Sequence, residues 1–142
     1  MRHVIRALLK IEIAGAVALS KDAGAIPSGY VDAPRTEWFG SFSSGRLVAV
    51  IARHHVSERS ELVIPAIAVI DSVRGAGIGS DLLLHAMEPF LSQSVCVVGA
   101  VDRASERAQN FYMKLGFTIG EFDDRTPTRG LSNPYLRFWR QL

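Results

Sequence analysis

The feature that most restricts the fold of this sequence is a glycine-rich turn, Arg74-Gly75-Ala76-Gly77-Ile78-Gly79, between an apolar run and a helix-compatible segment. Residues 61–70 are almost continuously apolar, which is typical of a strand buried on both faces. Residues 78–92 repeat apolar side chains at helical spacing. The glycines allow consecutive N–H groups to converge, and the helix adds the positive end of its dipole. The pattern predicts a cradle for a phosphate or pyrophosphate, or else a plain strand-to-helix turn.

Neither of the common nucleotide-binding loops fits this turn. A P-loop requires Lys-Ser/Thr directly after its last glycine, whereas Ser80-Asp81 follow Gly79 here. A dinucleotide fingerprint requires G-x-G-x-x-G, whereas the spacing here is G-x-G-x-G. A nucleotide-dependent enzyme is therefore an alternative that a failure to bind ATP would remove.

The rest of the chain alternates strand and helix signals. Ser105 is a suitable helix N-cap, Gly116 a suitable left-handed stop, and Pro89 should kink or end its helix. Ser43-Ser44-Gly45 indicates a hairpin. Strands are predicted at residues 3–7, 37–42, 46–55, 61–70, 94–101, 117–122 and 135–141, helices at 9–20, 78–92 and 105–115, and a loop at 24–36. This order predicts an α/β domain with mixed strand directions.

Length and composition set the class of protein. The 142 residues suit one domain, and 48% hydrophobic with 21% charged residues excludes a disordered, collagen-like or disulfide-scaffold chain. Lys10 and Glu12 interrupt the apolar N-terminal stretch, so it does not read as a signal peptide. Because no apolar run would span a bilayer and Cys96 is the single cysteine, we expect a soluble cytoplasmic protein without membrane contact.

A second motif, Asn110-Phe111-Tyr112-Met113-Lys114-Leu115-Gly116-Phe117, follows the next apolar strand. Together with the glycine turn it resembles the GNAT superfamily of acetyl-CoA-dependent N-acetyltransferases. The family fingerprint Arg/Gln-x-x-Gly-x-Gly/Ala is matched by Arg74, Gly77 and Gly79, and its later signature by Ala108, Phe111, Tyr112, Gly116 and Phe117. The resemblance implies one domain, residues 1–142, with a mixed, mostly antiparallel central sheet flanked by helices. It also implies acetyl-CoA as cosubstrate and no metal.

The resemblance further implies how coenzyme A is held. The backbone of the turn would bind the pyrophosphate, and the end of the preceding strand would pair with the pantetheine arm in a slot between two splayed strands. Pro65 suits a bulge in that strand, because proline removes a ladder donor. Ser105 stands where many members carry an asparagine. The implied binding residues are Ile67, Ala68, Val69, Arg74, Gly75, Ala76, Gly77, Ile78, Gly79, Ser80, Ser105, Phe111 and Tyr112.

Direct acyl transfer requires a proton donor for the leaving thiolate, an oxyanion donor and a base. We expect Tyr112 to be the proton donor, because a tyrosine of pKa about 10 is protonated at neutral pH and the family places one here. A backbone N–H near Ile67 would hold the oxyanion. Glu61 is the candidate base, with Glu58, His54 and His55 as alternatives. Cys96 reads as a buried structural thiol rather than an acyl carrier.

The acceptor is expected to be a small-molecule or peptide amine, and Tyr30, Trp38 and Phe39 line its site or belong to the core. One alternative is a module that binds coenzyme A without turnover. Another is a GNAT-type toxin that acetylates charged tRNA, because Arg125, Arg129, Arg137 and Arg140 follow Asp124 without any acid. The apolar strand at 135–141 also makes a homodimer possible.

Overall fold

The computed structural model describes residues 3–22, 31, 33–122 and 134–142. Within them, seven strands form one sheet in the order β1-β2-β3-β4-β5-β7-β6. Among the described strands, only β4 and β5 pair in parallel, so the predicted mixed, mostly antiparallel sheet is confirmed. The strands are β1 His3–Ala7, β2 Glu37–Ser43, β3 Arg46–Val56, β4 Glu61–Val69, β5 Cys96–Asp102, β6 Thr118–Gly120 and β7 Tyr135–Gln141.

Helices cover both faces of the sheet. The described helices are α1 Ile13–Asp22, α2 Ile78–Met87 and α3 Glu106–Lys114. One core cluster joins α2 and α3 to the sheet around Ile51, Leu82 and Phe138. A second cluster joins α1 to the other face around Ala16 and Val50. Because alternate strand residues enter opposite clusters, the central strands are apolar on both faces, as the sequence predicts.

A bulge in β4 changes which residues face each cluster. Ala52 of β3 is opposite Ala66, but His54, two residues on, is opposite Val63, three residues back along β4. The extra residue falls at Ile64–Pro65. Its effect is visible in the packing, since Leu62 and Ile64 enter the α2–α3 cluster whereas Ala66 and Ala68 enter the α1 cluster. The bulge expected at Pro65 is therefore confirmed, and it reverses the facing of the second half of β4.

The two central strands separate immediately after this bulge begins. β4 and β5 pair only at Glu61–Cys96, Leu62–Val97 and Val63–Val98. The second half of β4 continues to pair with β3, and β5 continues to pair with β7, so both strands stay ordered while they diverge. The predicted slot between splayed strands is present.

Several element boundaries differ from the sequence prediction. The helix predicted at residues 9–20 begins as an α-helix only at Ile13, because Lys10–Glu12 form a 3-10 turn. Glu12 holds that turn by accepting the Leu9 N–H at 2.7 Å and binding Arg6 at 2.9 Å. The helix predicted to 92 ends at Met87, and Pro89 lies in the 3-10 turn that follows, as its missing N–H requires.

The strand at the C-terminal end is not at an edge of the sheet. β7 pairs along its whole length with β5, and with β6 at Arg137, Phe138 and Trp139. The reason for expecting a homodimer through this strand is therefore lost where β6 covers it.

No helix within the described ranges has the length and apolar character needed to cross a bilayer. Residues 24–30 of the predicted loop, including Tyr30, lie outside the described residues.

Candidate active site

A cavity of about 940 Å³ occupies the space between β4 and β5 and continues over the glycine turn. Its walls are the second half of β4, the end of β5, the start of α2 and one side of α3. Of the residues implied to bind coenzyme A, the cavity walls include Ile67, Ala68, Val69, Arg74, Gly75, Gly77, Ile78, Gly79, Ser80, Ser105, Phe111 and Tyr112. Ala76 and Glu61 are not among the wall residues.

The three glycines of the turn are needed for two different physical reasons. Gly75 and Gly77 have φ values of +87° and +79°, a region that residues with a Cβ adopt only at a cost. Gly79 has no such angle, but a Cβ there would lie 3.2 Å from Cε1 of Phe111. The first two glycines therefore set the path of the backbone, and the third lets α2 and α3 approach each other.

The start of α2 presents unused donors to the cavity. The first intrahelical bond is donated by the Asp81 N–H to the Gly77 carbonyl at 3.0 Å. The N–H groups of Ile78, Gly79 and Ser80 precede it and have no acceptor one turn back in the helix. Three N–H groups at the positive end of a ten-residue helix are suited to an anion. The start of α2 can therefore serve as the phosphate cradle that the sequence predicts, and that role stays a prediction.

Arg74 fixes the turn to the end of β4. Its Nε donates to the Val69 carbonyl at 3.1 Å, and its Nη1 lies 2.6 Å from Asp71 Oδ1. The Asp71 side chain is 87% exposed, so this ion pair lies in water and contributes little to stability. The guanidinium group is thereby held at the mouth of the cavity, beside the free N–H groups.

The backbone of β4 directs one set of amides into the slot. The Ile70 N–H donates to the Val48 carbonyl of β3 at 3.0 Å. Because backbone groups alternate along a strand, the N–H groups of Ala68 and Ala66 also point to β3, and those of Val69 and Ile67 point to the slot. The Val69 carbonyl agrees, since it accepts from Arg74 rather than from β3. The Ile67 N–H is therefore a donor available inside the slot.

Tyr112 lies in the wall of the cavity with its ring packed in the core. The residue is 5% exposed, and its ring stacks on Phe138 with centroids 3.9 Å apart and an angle of 14° between the rings. Phe117 contacts it edge-on. Burial raises the pKa of the Tyr112 hydroxyl well above its usual range. The phenol is therefore protonated at neutral pH, and its ring is packed against Phe138 and Phe117.

The glycine at position 99 makes this arrangement possible. A Cβ on Gly99 would lie 2.1 Å from Cζ of Phe138, so no larger residue fits without moving the ring. Phe138 is fully buried between β5 and α3. Sequence reasoning missed both residues, because the contact joins strands that are far apart along the chain.

One face of α3 contributes further wall residues. Ser105 caps the helix by accepting the Ala108 N–H at 3.2 Å, so its predicted capping role is confirmed. Arg107, Asn110 and Lys114 also line the cavity, and the sequence analysis did not select them. Their spacing of three and four residues was the available signal, because it places them on the side of the helix that Phe111 shares.

Glu61 and Cys96 sit side by side where the parallel ladder begins. Glu61 binds Arg59 at 2.9 Å and lies six residues before Ile67, about 20 Å along an extended strand. Burial raises the pKa of the Cys96 thiol, with smaller effects from the charges of Arg137, which lowers it, and Glu61, which raises it. A thiol with a raised pKa is a poor nucleophile, which agrees with a structural cysteine.

The other residues considered for the site are mostly in the core. Trp38 is 4% exposed in the α1 cluster, and Phe39 is 8% exposed in the α2–α3 cluster. His54 shares a 3.0 Å hydrogen bond with Thr36, and His55 packs edge-on against Phe90. Arg125 and Arg129 lie outside the described residues, whereas Arg140 donates to the Leu115 carbonyl at 3.0 Å and covers Gly116.

Comparisons with known proteins agree with the fold. The fold is similar to that of the ribosomal-protein-S18-alanine N-acetyltransferase from Escherichia coli, with a TM-score of 0.75, 21% identity, and coverage of 99% of this chain and 94% of that one. The PaiA N-acetyltransferase from Thermoplasma acidophilum in complex with coenzyme A gives a TM-score of 0.77, 14% identity and full coverage of both chains. A Bacillus subtilis acetyltransferase in complex with CoA gives 0.72, 20% identity and 99% coverage of both.

At these identities the structures show a shared fold. No curated protein matches the sequence significantly. Residues 35–119 match the family described as the acetyltransferase (GNAT) domain, and this match covers more than half of the chain. It spans the hairpin, the bulged strand, the glycine turn and the helix that carries Tyr112. The chain therefore belongs to the GNAT acetyltransferase family.

Proposed function

We propose that residues 1–142 form one cytoplasmic N-acetyltransferase domain that transfers the acetyl group of acetyl-CoA directly to a primary amine. The observation that carries this proposal is the slot between β4 and β5. It has free N–H groups at one end and, along its walls, the Ile67 N–H and the protonated Tyr112. A thioester has the matching needs, namely an anchored diphosphate, a donor for its carbonyl oxygen and an acid for its sulfur.

Coenzyme A fits this site without any further group. The diphosphate would take the N–H groups of Ile78, Gly79 and Ser80, with Arg74 beside them. The pantetheine amides would pair with Ile67 and Val69, which have no strand partner on that side over the splayed part of β4. Arg107 and Lys114 bring two positive charges to the α3 side of the cavity, and Glu106 brings one negative charge. Bound there, acetyl-CoA supplies the activated acetyl group.

The transfer then needs three proton and charge adjustments. The amine nitrogen forms a bond to the thioester carbonyl carbon, and the Ile67 N–H stabilises the negative charge on the carbonyl oxygen. When the C–S bond breaks, the thiolate takes the proton of the Tyr112 hydroxyl. The extra proton of the amine passes to Glu61 or one of its neighbours. Because roughly 20 Å of strand separates Glu61 from Ile67, that proton must travel through water.

The raised pKa of Tyr112 is compatible with an acid role. A phenol that resists ionisation is a poor donor to a thiolate in water, since an ordinary thiol has a pKa of about 8.5. Inside the slot the thiolate is also removed from water, and desolvation raises the pKa of a thiol as it does that of a phenol. The two groups are therefore matched only when both are buried, which favours proton transfer within the closed slot.

The test is thiol release from acetyl-CoA with a panel of amines, amino acids, polyamines and peptides. Tyr112→Phe keeps the ring on Phe138, so it should retain coenzyme A affinity in calorimetry while kcat falls roughly a hundredfold or more. An unchanged kcat in this variant would refute the acid role. Tight coenzyme A binding without thiol release for any acceptor would instead identify a binding module that does not turn over.

The tRNA alternative is tested in the same assay with charged tRNA as acceptor. It was suggested by four arginines near the C-terminus, but Arg140 is engaged by the end of α3. If tRNA is the acceptor, binding should weaken steeply as salt rises, because counterions are released from phosphates. Transfer to tRNA alone would replace the small-molecule or peptide amine proposed here.

A further inference from the structure

The face of the sheet opposite α2 and α3 carries an arginine whose role the proposed reaction does not use. Phe138 enters the α2–α3 cluster, so its neighbours Arg137 and Trp139 point to the other face. Across the ladder they meet Ala100 and Val98 of β5. Val98 is in turn opposite Val63 of β4. We call this apolar strip with its arginine the β7 face; it consists of Val63, Val98, Ala100, Arg137 and Trp139.

Arg137 is the outermost of three stacked layers on this face. Gly120 of β6 has no Cβ, and the indole of Trp139 lies so close to it that an added Cβ would be 3.0 Å from the ring. The guanidinium of Arg137 then lies over the indole, 4.7 Å from the ring centroid. A cation on an aromatic face keeps its N–H groups free to bind an anion in the plane of the guanidinium.

Within the described residues, the Nε of Arg137 is buried and has no hydrogen-bond partner. The contrast with other packed arginines is clear. Arg53 donates to Glu37 and to the Ala86 carbonyl, and Arg140 donates to the Leu115 carbonyl. A buried donor without an acceptor is costly, so such a group needs an explanation. An acceptor supplied by a ligand would satisfy it.

The β7 face and the slot meet at Ala100 of β5. Ala100 is the ladder partner of Arg137 and also lines the cavity between β4 and β5. Ala66 and Ala68, on the same side of the sheet, line it too. Arg137 itself is not a wall residue of the cavity, but an amine that enters the slot past Ala100, from the side away from α2 and α3, would come next to it.

Charges of both signs border this approach. Glu61 precedes Val63 by two residues, so it points to the same side of the sheet as the β7 face. The charges of Arg137 and Glu61 both act on Cys96, which is the ladder partner of Glu61 and lies four residues before Ala100, the ladder partner of Arg137. The guanidinium fork suits a carboxylate, so an acceptor that carries a carboxylate beside its amine would match Arg137.

We propose that Arg137 binds a carboxylate of the acceptor, so that the acceptor is an amine that also carries a carboxylate group. This substrate class rests on the proposed acetyl transfer, but the binding step does not. Arg137 acts on specificity, through contact with the part of the acceptor that does not react.

The test uses pairs of acceptors that differ only in charge. Amino acids and short peptides are each compared with the derivative in which every carboxylate is amidated, and phosphoethanolamine is compared with ethanolamine to detect a preference for phosphate instead. Variants Arg137→Gln and Arg137→Lys are compared with Arg46→Gln, which removes an equal charge from an exposed position in the β2–β3 hairpin. Readouts are kcat/KM, acceptor binding to the coenzyme A-loaded chain by calorimetry, and coenzyme A affinity.

We expect the unmodified chain to prefer the carboxylate member of a pair. Arg137→Gln should lower kcat/KM for that member about ten- to a hundredfold, as for a lost charge-assisted hydrogen bond, and leave the amidated member unchanged. Arg137→Lys should restore part of the loss, and Arg46→Gln should have no effect. Unchanged coenzyme A affinity in Arg137→Gln shows that the variant is folded.

Opposite outcomes separate the two proposals. No preference for carboxylates, an equal loss for both members of the pairs, a preference only for the phosphate, or no binding of any carboxylate-bearing amine would each overturn the role of Arg137. If no amine is acetylated but carboxylate binding still depends on Arg137, the inference stands and the proposed acetyl transfer fails.

Discussion

Two glycines with the same backbone angle have different roles in this chain, and the difference can be measured. Gly77 and Gly45 share a φ of +79°, and nothing lies within 4 Å of a Cβ built on either. Gly45 is in the two-residue turn between β2 and β3, where Ser44 also has a positive φ. Gly77 is the N-cap of α2, beside the free N–H groups of the cradle. The same left-handed backbone conformation therefore occurs once in the hairpin turn, away from the candidate site, and once at the candidate site.

We predict that Gly77→Ala and Gly45→Ala lose similar stability, about 1–2 kcal/mol each, because both force a Cβ into the left-handed region. Only Gly77→Ala should also weaken coenzyme A binding, at least tenfold, because it disturbs the amides that face the diphosphate. Urea unfolding and calorimetry measure the two effects. Equal coenzyme A affinity in both variants would show that the turn does not hold the diphosphate.

The sequence predicted the residues of the cradle better than those of the acid site. Arg74, Gly77 and Gly79 lie in one short turn, residues 74–79, so a local motif is sufficient to select them. Tyr112 was selected by its motif, but its support by Phe138 and Gly99 depends on strand pairing and could not be predicted. Arg140 was interpreted as part of a basic tail, yet it binds the end of α3, a contact between residues 25 apart.

At the scale of elements, the packing of α3 on the sheet depends on the small residue at position 99. Phe138 fills the space between β5 and Tyr112, and it is fully buried. An added methyl group at Gly99 would overlap the Phe138 ring and push it toward α3. The position of the phenol is thus set by β5 and β7, although Tyr112 itself belongs to the helix.

We predict that Gly99→Ala destabilises the fold by about 1–3 kcal/mol, the usual range for an overpacked core. It should also reduce acetyl transfer by moving Tyr112. The control is Gly15→Ala in α1, where a Cβ meets nothing within 4 Å, so the helix should gain about 0.5–1 kcal/mol. Chemical denaturation measures both variants. A Gly99→Ala variant as stable as the parent would mean that Phe138 can move freely.

Element types were predictable because periodicity and capping are local. The first and last residues of β1 and β7 were predicted as the structure has them, and Ser105 and Gly116 flank α3 as expected. The predicted start of α1 was wrong, because the Arg6–Glu12 ion pair stabilises a 3-10 turn where apolar spacing alone predicts an α-helix. The bulge at Pro65 was predictable because proline lacks the donor that a regular central strand needs.

At the scale of the whole molecule, the slot results from the order of the strands. β7 inserts between β5 and β6, and only three residue pairs join β4 to β5. Neither the insertion nor the number of pairs follows from local pattern, since both are contacts between distant segments. The sequence predicts a mixed sheet, but the sheet order and the shared position of Ala100 in the slot and on the β7 face required the structure.

The splayed geometry makes a distinctive prediction for hydrogen exchange. In the free protein, the amides of Ile67 and Val69 point into the slot, while those of Ala66 and Ala68 bond to β3. The first pair should therefore exchange faster than the second. Coenzyme A should slow Ile67 and Val69 strongly by pairing with them and change Ala66 and Ala68 little. Residue-resolved exchange measured by NMR with and without coenzyme A tests this pattern.

The same measurement distinguishes local pairing from general stabilisation. A ligand that only stabilises the native state slows all amides that exchange by global unfolding, including those of the β2–β3 hairpin. Pairing in the slot instead slows alternate residues of one strand. Tyr112→Phe should preserve the alternating pattern and Gly77→Ala should weaken it, because the first variant leaves the cradle intact. Uniform slowing along β4 would contradict a pantetheine arm that completes the sheet between β4 and β5.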